Sequence, residues 1–140
     1  MSIGGLDHVA LGVPDLDARI ALLVDTCSMR LLRRGTVAAT GQRMAMLADA
    51  AGSRLELVEV LGAPGPVFLH LAFRTDDVDT AYGEAIARGM QSKRTPHALE
   101  AEQARTALLT DGRGFDLQVI SYGEAAPRRT ADDRRVTGAG

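Results

Sequence analysis

Two histidines and two carboxylates sit at matching places in the two halves of this chain. Residues 6–20 read LDHVALGVPDLDARI and residues 68–82 read FLHLAFRTDDVDTAY. Aligning His8 with His70, an offset of 62 residues, sets Ala10, Asp15 and Asp17 against Ala72, Asp77 and Asp79. Further along, RLELVEV (54–60) and GFDLQVI (114–120) align at an offset of 60, which sets Glu56 against Asp116. The histidine-to-acid separations are 48 residues in the first half and 46 in the second. A duplicated module with one imidazole and one carboxylate per copy can bring two nitrogens and two oxygens together across a pseudo-twofold axis. That is a ligand set for a divalent transition metal, softer than a magnesium site and harder than a thiolate site.

The elements that must position these groups follow from periodicity and punctuation. Leu6 to Val13 alternates as a strand does, and Pro14 stops it. Asp15 can cap a helix to about Thr26, with Leu16, Ile20, Leu23 and Val24 as its apolar stripe. Strands are expected over 30–38, 43–48 and 53–60. The order then repeats. A strand over 67–74 leads to a helix from Asp76 or Asp77 to about Ala87, which Gly89 can end. A short strand follows over 90–93, then a polar loop over 95–103 containing Pro96 and His97. Strands over 105–110 and 115–121 complete the second half. Each half reads βαβββ, an α+β chain of two tandem modules, residues 1–60 and 67–122, joined by a connector over 61–66. Residues 123–140 have no periodicity and are expected to form a flexible tail.

Strand parity places the candidate ligands on one face. His8 shares its face with the small residues Ala10 and Gly12, and His70 with Ala72. On the later strands Leu55 and Leu57 oppose Glu56, while Phe115, Leu117 and Val119 oppose Asp116 and Gln118. The helices are expected to cover the apolar face, leaving the other to line a cavity. Arg54, Arg74 and Gln118 share that inward face and could hold a substrate carboxylate or hydroxyl.

Bulk composition excludes several classes. At 140 residues the chain is one domain's length, with 46% hydrophobic and 24% charged residues, an ordinary globular balance. A formal charge of −2 argues against nucleic acid as the main partner, since phosphate binding needs a clustered basic surface. No apolar run is long enough to span a bilayer, and no signal peptide is evident. The one cysteine, Cys27, excludes an internal disulfide and is expected to be a small buried apolar residue near a helix end. An intracellular, cytoplasmic protein is expected.

The segments DHVALGVPDLDARI, LLRRG, RLELVE, HLAFRTDDVDTAYGEAIARG and TDGRGFDLQVIS together resemble the vicinal oxygen chelate superfamily. Glyoxalase I, methylmalonyl-CoA epimerase, extradiol dioxygenases, fosfomycin-resistance enzymes and bleomycin-binding proteins are among its members. The resemblance covers about residues 4–122. It implies paired βαβββ modules forming a half-open barrel, the glyoxalase-like fold, around a divalent metal (Zn, Ni, Co, Mn or Fe), and a homodimer. It places the metal on His8, Glu56, His70 and Asp116. Whether the ligands meet within one chain or across two is left open. Two features depart from the family pattern. The last ligand is usually glutamate rather than aspartate, and the usual DPDGN turn is replaced by TDGRGF.

In that setting the metal acts as a Lewis acid on a small substrate with two neighbouring oxygens, stabilising an enolate. Glu56 and Asp116 are the expected catalytic pair, one removing a proton and the other returning it. The main expectation is a metal-dependent lyase, isomerase or epimerase. An iron-dependent dioxygenase and a small-molecule-binding protein of the antibiotic-resistance type are the alternatives. The scarcity of aromatics, no Trp with two Tyr and three Phe, counts against the last.

Overall fold

A computed structural model describes residues 3–123 of the chain. The element order is β1 (Ile3–Val13), α1 (Leu16–Asp25), β2 (Arg30–Thr36), β3 (Arg43–Ala48), β4 (Arg54–Glu59), β5 (Val67–Thr75), α2 (Val78–Ala87), β6 (Gln91–Leu99), β7 (Ala104–Thr110) and β8 (Asp116–Tyr122). The βαβββ order therefore occurs twice, and the α+β class is as expected. The tail expected after residue 123 lies outside the described residues.

Contacts divide the chain into two compact units, and β1 contributes to both. The unit holding residues 9–68 orders its strands β2-β3-β4-β1, with β1 and β4 parallel and the others antiparallel. The register sets Ala10 opposite Glu56 and Met46 opposite Glu56 on the other side. One face of this sheet carries Leu11, Val13, Ala45, Leu47, Leu55 and Leu57, which pack with Leu16, Ile20 and Leu23 of α1. The other face carries Ala10 and Glu56. Leu47 and Leu57 are 0% and 2% exposed. Burying a leucine to that degree stabilises by roughly 1.5–3 kcal/mol.

The second unit joins residues 3–8 to the segment from Leu69 onward. Its strand order is β1-β5-β8-β7-β6, with β5 and β8 parallel. Ala107, Leu109 and Val119 pack with Val78 and Ala81 of α2. The face away from the helix carries His70, Ala72 and Arg74 of β5, with Asp116 and Gln118 of β8. In both units, then, the helix covers the leucine- and valine-rich face, and the candidate chemistry lies on the opposite one.

The two helices start differently. Asp77 accepts hydrogen bonds from the Thr80 amide (3.1 Å) and hydroxyl (2.7 Å), a side-chain cap that holds its carboxyl below the usual range. Asp15 makes no such cap and instead faces Arg19 at 3.5 Å. Gly89, at φ +103°, follows α2 and donates its amide to Ile86, closing the helix as expected.

One expectation fails at β6. The segment over 95–99 was expected to be loop because it contains Pro96, yet the strand continues to Leu99, and only 100–102 form a single 3-10 turn. β6 ends the strand order, and its pairing with β7 shifts register between Ser92 and Arg94 and again between Arg94 and His97. An edge strand with such irregularities tolerates a residue that cannot donate to the ladder. His97 is therefore a strand residue; its Nδ1 lies 2.7 Å from the Thr95 carbonyl.

Candidate metal centre

His8 and His70 come together. Their ring centroids are 5.6 Å apart at an interplanar angle of 70°, an edge-to-face arrangement. Both Nε2 atoms are shielded from solvent. Each histidine is followed on its own face by a fully buried alanine, Ala10 or Ala72.

His8 is oriented by a carboxylate that the sequence reading missed. Its Nδ1 lies 2.7 Å from Asp7 Oδ2, and the Asp7 side chain is completely buried. The same oxygen accepts the Tyr122 hydroxyl at 3.1 Å. A carboxylate accepts, so Nδ1 of His8 carries a proton, and in the neutral imidazole Nε2 presents its lone pair. Carboxylate-held imidazoles of this kind are the usual second layer around protein-bound metals. The signal was present in the dipeptide Asp7-His8. Parity discounts it, because adjacent strand residues point to opposite faces.

Glu56 stands opposite Ala10 on the neighbouring strand, and Ala10 shares the face of His8. Arg54 lies on the same face of β4, opposite Ala48, one pleat before Glu56. Arg74 lies on the His70 face of β5, and its guanidinium Nη2 is 3.4 Å from where a Cβ on Gly5 would stand. Gly5, at φ +137°, lets the β1 backbone pass that close.

Asp116 is engaged elsewhere. Lys93 donates to its Oδ2 at 2.7 Å, and the carboxylate side chain is 14% exposed. Burial pushes the Asp116 carboxyl up, but hydrogen bonds from Lys93 and Thr110 and the charges of Lys93 and His70 together hold it below the ordinary range. Lys93 was not anticipated from the sequence; it lies on the strand whose far end was expected to be loop.

The register also corrects the repeat alignment. Val9 pairs with Leu55 and Leu71 with Leu117; Ala10 pairs with Glu56 and Ala72 with Gln118. Met46 pairs with Glu56 and Leu108 with Gln118. Every one of these equivalences is an offset of 62, including the final strand. The structural counterpart of Glu56 is therefore Gln118, and that of Asp116 is Arg54. The offset of 60 matched the similar strings LEL and FDL but ignored the pairing partners.

Gln118 donates its Nε2 to Thr106 Oγ1 at 2.9 Å, and Thr106 in turn donates to the Val119 carbonyl at 2.8 Å. The donor set of two imidazoles with shielded Nε2 atoms, one of them carboxylate-oriented, suits a divalent transition metal.

A family model for the Glyoxalase/Bleomycin resistance protein/Dioxygenase superfamily matches residues 5–119. The chain belongs to this superfamily. Solved structures of similar fold include methylmalonyl-CoA epimerase from Mycobacterium tuberculosis, with 24% identity over 86% of this chain and 89% of that one, at a TM-score of 0.73. Another is a Streptomyces coelicolor methylmalonyl-CoA epimerase in complex with 2-nitronate-propionyl-CoA, with 23% identity over 87% and 99% of the two chains, also at 0.73. A hypothetical protein from Bacillus halodurans matches at 23% identity over 88% and 97%, with a TM-score of 0.72. No curated protein matches the chain. Among the described residues, no helix of this superfamily member is long and apolar enough to cross a membrane.

Proposed function

We propose that His8, Glu56 and His70 hold one divalent transition metal, and that the protein is a metal-dependent lyase, isomerase or epimerase acting on a small substrate with two neighbouring oxygens. The observation that carries this reading is the His8–His70 pair, with Asp7 fixing the nitrogen that His8 offers. Bound there, the metal would supply Lewis-acid stabilisation of an enolate formed next to a carbonyl. Glu56 is the chain's proton acceptor in this scheme. Asp116, already ion-paired to Lys93 and held below the ordinary carboxylate range, is a weaker base; with Lys93 it is assigned to polar groups of the substrate. Arg74 and Arg54, on the same faces as His70 and Glu56, are assigned to a substrate carboxylate.

The structural neighbours named as methylmalonyl-CoA epimerases make a carboxylated acyl thioester the first substrate to try. A homodimer belongs to the same reading, since β2 and β6 end the strand order and leave edges for a second copy to cover. The test is exchange of the substrate α-proton into D2O, followed by NMR on metal-loaded protein. Native protein catalyses exchange, and Glu56→Gln slows it by roughly 10²–10⁴-fold, the usual effect of a positioned base. Undiminished exchange in Glu56→Gln would remove that residue from the proton-transfer step.

The ion-paired state of Asp116 favours one second reading. Two histidines and one carboxylate, with other positions open, are the ligand set of iron oxygenases. Native protein carrying iron and consuming O₂ would establish it.

A further inference from the structure

The position equivalent to Glu56 in the second half is filled by an amide, and the hydrogen bonds around that amide fix which of its ends is turned away. Thr106 is 4% exposed, and its hydroxyl proton is directed to the Val119 carbonyl. A hydroxyl has one proton and two lone pairs, so toward Gln118 it can only accept. It therefore takes the NH₂ end of Gln118, at 2.9 Å, which leaves Oε1 as the end that can face a ligand. The same hydroxyl would present a lone pair, not a proton, to a carboxylate at this position. The environment is built for glutamine.

The pairing adds the location. Ala72 stands opposite Gln118 as Ala10 stands opposite Glu56, and each alanine lies one pleat beyond a histidine. Gln118 thus bears the relation to His70 that Glu56 bears to His8. Asp116 bears the relation that Arg54 bears to His8, and Lys93 occupies its carboxylate. A neutral carbonyl oxygen is an ordinary ligand for a divalent cation.

We propose that Gln118 Oε1, rather than Asp116, supplies the second-half oxygen ligand of the metal, and that Thr106 is the positioning residue that turns this oxygen toward it. The proposal rests on the metal reading given above. Its consequence is a centre with one protein carboxylate instead of two, so proton removal and return cannot both use metal-bound acids.

The test loads full-length protein with Co(II), reading affinity by chelator competition and coordination by the visible spectrum. Native protein binds one equivalent. Gln118→Ala weakens binding by about 10–100-fold and alters the spectrum, whereas Asp116→Asn changes affinity by less than about threefold. Thr106→Val, close to isosteric, lowers affinity and shifts the spectrum at matched thermal stability, and Thr106→Ser restores both. Native-like binding and spectrum in Gln118→Ala, or their loss in Asp116→Asn, would overturn the assignment while leaving the metal centre standing. Native protein that takes up no Co(II) would overturn both.

Discussion

The two halves of the molecule agree in scaffold and differ in chemistry. At an offset of 62 they share the parallel first and last strands, the helix-covered apolar face and one surface ion pair. Asp17 meets Arg43, with Oδ2 3.3 Å from Nη2, and Asp79 meets Arg105, with Oδ2 2.8 Å from Nε. On the opposite face His8 and His70 also correspond. Ala10 and Ala72 do too, and there the likeness stops. Arg54 corresponds to Asp116 and Glu56 to Gln118, and beside these groups Asp7 corresponds to Leu69 and Leu31 to Lys93. Packing constrains the covered face of each copy to similar residues. The uncovered faces carry different ones, so a duplicated fold here supports an asymmetric site.

The largest expected effect on that asymmetry comes from Asp7. Asp7→Asn removes the carboxylate that holds the His8 Nδ1 proton, and metal affinity falls by about 10–100-fold. Isothermal titration with Zn(II), beside a thermal melt of each protein, measures it. Unchanged affinity would mean that Asp7 serves the fold and the Tyr122 hydroxyl, not the centre.

The smallest effect tests the part the halves share. Asp17 is held below the ordinary carboxylate range by Arg34 and Arg43, and Asp79 by Arg105. A depressed folded-state pKa contributes stability that is complete above the unfolded value, about 3.9, and is lost as pH falls through the folded value. Both pairs are exposed, so the contribution is small and weakens with salt. Urea midpoints measured from about pH 5 down to about pH 3 should fall less in Arg43→Met/Arg105→Met than in native protein. Equal slopes would show that neither pair acts.

Much of this was legible in the sequence. The alternation before Pro14, the aspartates at the helix starts and the spacing of His8 and His70 are local signals, and the structure follows them to within a residue or two in most elements. What failed was not local. Pro96 reads as a loop unless β6 is known to be an edge strand. The acid alignment failed because two short strings, LEL and FDL, look alike, while strand pairing obeys the backbone register and sets Glu56 against Gln118. Asp7 was hidden because parity describes the direction of a side chain from a flat strand, not what a short carboxylate beside a histidine can reach. Lys93 and Thr106 acquire their partners only through pairing between strands more than ten residues apart.

The histidine pair, His8 buried and His70 half-buried with its Nε2 shielded, is proposed as a metal centre. The most direct measurement is plasma mass spectrometry on native protein beside His8→Ala/His70→Ala, both purified without chelator and then reconstituted. About one equivalent of a divalent transition metal in the native protein and none in the double variant is the expected result. No metal in either, even after reconstitution, would contradict it.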